Sequence, residues 1–274
     1  MSSITYNSEF CRYLNFITLM ASISIIGITC FVLLGTFVEI PDFYRPISSG
    51  EATHPLTALL FLLTSVVITG YLKREETHSS IPKINILTFL LASIALIDNW
   101  QEMFFLDGLN SYIGAFEYEK SIGLGIQIGS NTSLMFLLLT ASYICSYCKY
   151  SKPALSLGLC ALLIVGLSLV GYVFNEPTLY GHMSLTTVSL GLLICIMTTL
   201  KDLSLSFLSD VLTSLSKFKI FILFSALLLI PIAAQVFVIY QSILDARLFS
   251  WLLITTPWVI TYLASLYILA LDDV

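Results

Sequence analysis

Apolar residues in this chain come in long unbroken runs, and the polar residues gather in the short stretches between them. A run of about 20 apolar residues matches the hydrocarbon thickness of a bilayer when it is helical. Eight such runs are read, over about 15–36, 56–72, 85–104, 124–147, 154–174, 181–200, 219–240 and 249–271. They are continuously apolar rather than alternating, which selects helices and excludes the strands of a membrane barrel. The pattern predicts an all-α integral membrane protein with eight transmembrane helices. A cytoplasmic segment over 1–14 precedes the membrane domain of 15–271, and 272–274 is the start of a cytoplasmic tail or the end of the chain.

Composition sharpens this picture. Of 274 residues, 57% are hydrophobic and 11% charged, where soluble domains carry roughly 25% charged. The first run is long, and no small-residue cleavage site follows it, so it reads as a retained helix rather than a signal peptide. A net charge of −5 leaves no basic surface for nucleic acid. The six cysteines lie mostly inside apolar runs and do not form a disulfide framework.

Charge sets the expected orientation. Arg12, Lys73, Arg74, Lys83, Lys149, Lys152, Lys201, Lys217 and Lys219 fall on one side of the alternating spans, and only Arg45, Lys120 and Arg247 on the other. Cytoplasmic loops carry the excess of Lys and Arg. The nine-residue side is therefore expected inside, with both termini cytoplasmic. The opposite connections are acidic, with Glu39, Asp42, Glu51, Asp107, Glu117, Glu119, Glu176 and Asp245.

Three even-numbered spans open with related stretches: "THPLTALLFLLTS" (53–65), "GSNTSLMFLLLTAS" (129–142) and "GHMSLTTVSLGLLI" (181–194). Thr57, Thr132 and Thr186 align, each at the outer end of its span. The arrangement suggests repeated helical hairpins, 1–2, 3–4 and 5–6, with 7–8 a diverged fourth. The threonines have two readings. They cap helix N-termini and let helices pack closely, or together they line an outward-facing cavity in which helix N-termini meet a polar or anionic group.

The stretch "INILTFLLASIALIDNWQEMFFLDGLN…GSNTSLMFLLLTASY" (85–143) resembles the N-terminal membrane-integral sensor domains of bacterial histidine kinases and diguanylate cyclases. "NTSLMFLL" carries that family's Asn-Thr-small-Leu-x-Phe core, with Gly129-Ser130 in place of the usual Met-Ser-Pro. "LYGHMSLTTVSLGLLI" (179–194) looks like its later Tyr-Gly…Met-Ala-x-x-Thr-Ala opening, with Thr-Thr for Thr-Ala. The resemblance spans about 50–271. It implies a sensory input module of a bacterial inner membrane that signals through its last helices, and it names no ligand or cofactor. The partners it implies are the bilayer and a cytoplasmic kinase or cyclase output domain, in cis or in trans, with a homodimer left open. Catalysis would then belong to a domain outside this chain, and no catalytic residue is expected here.

Ionisable groups within a membrane helix are costly and mark function by default. Asp98 and Glu102, four apart in "IALIDNWQEMFF", share a helix face and together would bind a proton or cation. Alternatively the helix ends there, with Trp100 in the interfacial belt and the acids in water. His54 and His182 stand at the outer ends of their spans, but no His-x-x-x-His spacing supports a metal site. The hypothetical ligand-binding set is His54, Thr57, Asp98, Trp100, Glu102, Gln127, Asn131, Thr132, His182 and Thr186. Pro231 and Gln235 in the seventh span and Pro257 in the eighth form the hypothetical signal relay, since a mid-helix proline removes a hydrogen bond and bends the helix. The other readings are a transporter or channel-like protein, with Asp98 and Glu102 on a proton or substrate path, and a membrane assembly subunit.

Overall fold

The computed structural model describes residues 8–48, 50–73, 80–101, 113–121, 126–204, 217–241 and 248–271. Glu102, the terminal segments 1–7 and 272–274, and the connecting stretches 74–79, 102–112, 122–125, 205–216 and 242–247 lie outside them. The described elements are helices Ser8–Val38 (α1), Pro41–Tyr44 (α2), Pro55–Lys73 (α3), Ser80–Gln101 (α4), Gly114–Ser121 (α5), Ser130–Tyr147 (α6), Ser151–Phe174 (α7), Pro177–Tyr180 (α8), Leu185–Ser204 (α9), Lys217–Gln241 (α10) and Leu248–Leu271 (α11).

The eight long helices fall on the eight apolar runs, with shifted ends. Helix α1 begins at Ser8, ahead of its apolar run. Helix α6 begins at Ser130 rather than near 124, because Gly129 is extended (φ −72, ψ 147). A Cβ on Gly129 would stand 3.1 Å from the His182 carbonyl carbon, so this opening is fitted against the chain before α9. Helix α7 ends where Asn175 takes a left-handed conformation (φ 53) and returns its N–H to Gly171 and Tyr172, a common helix stop.

Four stretches are long and apolar enough to cross a membrane: Leu14–Val38, Ser80–Trp100, Ser151–Phe174 and Leu185–Leu203. Pro55–Tyr71, Ser225–Val238 and Ile254–Leu266 are shorter apolar helices. Each sequential pair packs together as the hairpin pattern expects: α1 with α3, α4 with α6, α7 with α9, and α10 with α11.

The hairpins are not equivalent in space. Helices α1, α3, α6, α7, α10 and α11 form a closed ring in which each touches the next and α11 returns to α1. Helix α9 touches all six and runs up the middle, while α4 lies outside in the groove between α3 and α6. Of the four long apolar stretches, that of α9 has the lowest mean hydropathy (1.4) and is 94% buried. This inversion follows from the solvent. A helix facing lipid must be apolar outward, whereas one enclosed by protein can carry polar groups that its neighbours satisfy.

The outward faces accordingly expose Phe31, Leu34, Leu90, Ile94, Leu163, Leu167, Ile230 and Leu263. The interior holds Thr18, Thr29, Thr64, Thr140, Ser189 and Thr198. Most of the threonine hydroxyls are satisfied locally: Thr29, Thr64, Thr140 and Thr198 each donate to the carbonyl four residues back, at 2.7–2.9 Å. Small residues bring the hub close to the ring. A Cβ on Gly191 would lie 2.9 Å from Met135 Sδ and 3.3 Å from Val165 Cγ1.

Candidate functional site

The three threonine-bearing openings converge at one end of the bundle, referred to below as the junction end. Thr53 Oγ1 and Ser184 Oγ are 2.6 Å apart, joining the first opening to the third. Asn131 Nδ2 donates to the Leu179 carbonyl at 3.0 Å, and Gly129 backs onto His182, joining the second to the third.

Capping at this end is done by residues other than the aligned threonines. His54 caps α3, its Nδ1 accepting the Leu56 N–H at 3.0 Å and its carbonyl the Ala58 N–H at 3.2 Å. That places a lone pair on Nδ1. Ser184 caps α9, its Oγ accepting the Thr187 N–H at 3.1 Å, and Gly129 caps α6 with no side-chain hydrogen bond. Thr57 and Thr132 each sit three residues after a cap. On α9 that position belongs to Thr187, one residue beyond the sequence alignment, and its hydroxyl lies 2.8 Å from Ser184 Oγ. Thr57, Thr132 and Thr186 are all buried.

The remaining predicted residues are spread more widely. His54 is buried edge-to-face against Phe116 of α5, with ring centroids 5.4 Å apart. Asp98 is half-buried on the peripheral α4, and the adjacent Asn99 donates to the Ile128 carbonyl at 2.9 Å and Ser130 Oγ at 3.0 Å. Trp100 is 89% exposed and Gln127 is exposed. Among the described residues, no three His, Cys, Asp or Glu side chains gather as a metal set would require.

His182 is half-exposed and stands 3.4 Å from Glu51. The hydrogen bond to Glu51 raises its proton affinity above the ordinary value of 6.5, against the opposing effect of partial burial. A raised folded-state value means that the protonated form favours the native state. The contribution is expected in full below about pH 6.5 and lost as pH rises through the raised value. His182→Gln should flatten this part of the dependence of melting temperature on pH, and an unchanged profile would show that the pair is uncoupled from folding.

Sequence reasoning missed the ionic pair beneath this end. Arg45 Nη2 and Glu119 Oε2 are 3.0 Å apart with side chains 3% and 1% exposed, and Arg45 Nε donates to Glu119 Oε1 at 3.2 Å. Arg45 Nη1 also donates to the Gly50 carbonyl. Buried Tyr44 lies alongside, its phenol pushed well up first by burial and then by the Glu119 charge. Arg45 is one of three basic residues on the acidic side of the chain, the only sequence signal available.

From the junction end, α9 leads inward to the predicted relay. Gln235 is fully buried, and Pro231 and Pro257 are buried within α10 and α11. Ser189 Oγ of α9 lies 3.2 Å from Gln235 Oε1, 3.2 Å from the Ile254 carbonyl and 2.8 Å from Trp258 Nε1, which donates to it. One hydroxyl proton serves one acceptor. Turning the Gln235 amide end for end lets Nε2 donate to Ser189, which then donates to Ile254, and satisfies this centre. Gln235 was legible as a lone amide in an apolar run, whereas Ser189 and Trp258 were not singled out.

The fold thus defines an all-helical protein with four helices long and apolar enough to cross a bilayer, built around an enclosed, hydroxyl-rich central helix. Compared with known proteins, the chain matches no family model, no curated protein and no solved structure.

Proposed function

We propose that the chain is a membrane-embedded sensory input module that detects a small or lipophilic ligand, or the state of the membrane, at its junction end. It passes the change through α10 and α11 to a cytoplasmic output domain or partner. The observation that carries this reading is the course of α9. Its cap, Ser184, is hydrogen-bonded to the first opening, and one and a half turns further on Ser189 is bonded to α11 and in contact with Gln235 of α10.

A ligand that favours one packing of the junctions over another would thereby bias the last hairpin, which is all that population shift requires. The prolines inside α10 and α11 each remove a helix hydrogen bond, which would make a pair able to sit in two ways. The eight long helices would each span an inner membrane. The excess of Lys and Arg would place the end opposite the junctions, and both termini, in the cytoplasm. The resemblance to kinase and cyclase sensor domains supports the same reading.

The test joins residues 1–274 to a cytoplasmic cyclase output domain and measures its product in cells. Asp98→Asn, Thr132→Val and Ser189→Ala are expected to shift output at least several-fold while membrane yield and melting temperature stay close to wild type. Wild-type output from all three would overturn the sensor. Saturable uptake by the purified chain in proteoliposomes would establish a transporter instead.

A further inference from the structure

The end of the bundle opposite the junctions holds a buried carboxyl group that no part of the sensing route uses. Asp202, in the last turn of α9, is 2% exposed. Its Oδ2 lies 2.7 Å from Ser142 Oγ and its Oδ1 lies 2.6 Å from Ser146 Oγ, both on α6. Ser142 Oγ is also 3.0 Å from the Ala154 carbonyl in the first turn of α7. Gly158 brings α7 against the group, since a Cβ there would stand 3.7 Å from Asp202 Oδ2 and 3.8 Å from Ser142 Oγ.

Counting hydrogens separates two states of this cluster. Ser142 has one proton and two acceptors, Asp202 Oδ2 and the Ala154 carbonyl, and neither an ionised carboxylate nor a carbonyl has a proton to give. At the Ser189 centre a turned amide supplies the missing donor, but a carboxylate has none in any orientation. One added proton completes the set. Asp202 Oδ2–H donates to Ser142 Oγ, Ser142 donates to the Ala154 carbonyl, and Ser146 donates to Asp202 Oδ1.

We infer that Asp202, Ser142 and Ser146 form a proton-binding site that fastens α9 to α6 and α6 to α7. When the proton leaves, the Ser142 hydroxyl turns to the carboxylate and the bond to Ala154 on α7 is given up. Proton occupancy thus sets whether three helices are tied together at this end. The charged and titratable groups around it are Lys201 on α9 itself, whose ammonium lies 4.6 Å from the Tyr71 ring centre, Tyr71 on α3 and Tyr143 on α6. Tyr143 is occupied by Thr198, with the two hydroxyls 2.5 Å apart. From α7 the group meets Gly158 and, through Ser142, the Ala154 carbonyl. The site is independent of the sensing role and would serve a transporter equally.

The experiment uses the full chain in lipid nanodiscs. Infrared spectra at neutral pH should show a protonated-carboxyl C=O band that Asp202→Asn removes and Ser142→Ala shifts in frequency. Asp202→Asn, whose Nδ2–H replaces the acid proton toward Ser142, should melt with the wild type at neutral pH. Asp202→Ala should melt clearly lower. Raising the pH should lower the wild-type melting temperature and bleach its band, leaving Asp202→Asn unmoved in that range. The inference is overturned if the band is absent from the wild type at neutral pH, or if Asp202→Asn is as unstable as Asp202→Ala. Should Asp202→Asn fail to fold, bleaching of the wild-type band with pH still decides, with an unchanging or absent band counting against the site.

Discussion

Glu119→Ala is expected to cost the protein about 3–5 kcal/mol, the penalty for leaving one charge of a buried pair without its partner. Arg45 holds the Glu119 carboxylate through two nitrogens and reaches the Gly50 carbonyl with a third, and its side chain is 3% exposed, so losing Glu119 removes a carboxylate from a cation well inside the protein. The loss should appear as a large drop in melting temperature in detergent or nanodiscs. Replacing both partners, Arg45→Met with Glu119→Leu, should recover most of it, because a buried pair contributes little beyond what well-packed apolar side chains of similar volume supply. If Glu119→Ala melts with the wild type, Arg45 is solvated and the pair has no structural weight.

Trp258→Ala should be nearly as damaging, at about 3 kcal/mol or more. Trp258 heads the largest fully buried side chains among the described residues. Within a bilayer little of its contribution comes from leaving water, since lipid is as apolar as the protein interior. What is lost is packing against the helices around it and the bond from Nε1 to Ser189. Trp258→Phe retains most of the ring and removes the N–H, so it should cost about 1 kcal/mol. Equal losses for the two substitutions, in resistance to denaturant, would mean that the hydrogen bond outweighs the packing.

Much of the architecture was legible because length and polarity are local. Eight apolar runs became eight long helices, and the sequential pairs packed as hairpins. The arrangement of the hairpins was not legible. The 181–200 run looked like one more span, richer in Ser and Thr than its neighbours, and that richness was the mark of an enclosed helix. An enclosed helix can carry hydroxyls because its neighbours satisfy them, which a helix facing lipid cannot rely on.

The candidate site was read in part. The convergence of the three openings follows from their shared position at one end of alternating helices. Which atom caps which helix depends on backbone conformation, so His54, Gly129 and Ser184 took that role while the threonines turned inward. Arg45 and Glu119 are 74 residues apart, a distance over which no pattern in one sequence gives a partner. Asp202 was passed over because Lys201 beside it made the segment look like the edge of a loop. Its enclosure depends on Ser142, Ser146 and Gly158 from two other helices.

The closed ring also constrains how the protein is made. Its first long helix and its last lie side by side, and the helix they help to enclose is delivered between them in the order of synthesis. When α9 is made, α10 and α11 are still to come, and the flank of α9 that carries Ser189 lacks their cover until they arrive. The nascent chain therefore passes through a stage in which the most buried of its four long apolar stretches lacks part of its cover. Closure waits for the final helix, so a ribosome that stalls before Leu248 leaves an open ring with Ser189 on an uncovered flank.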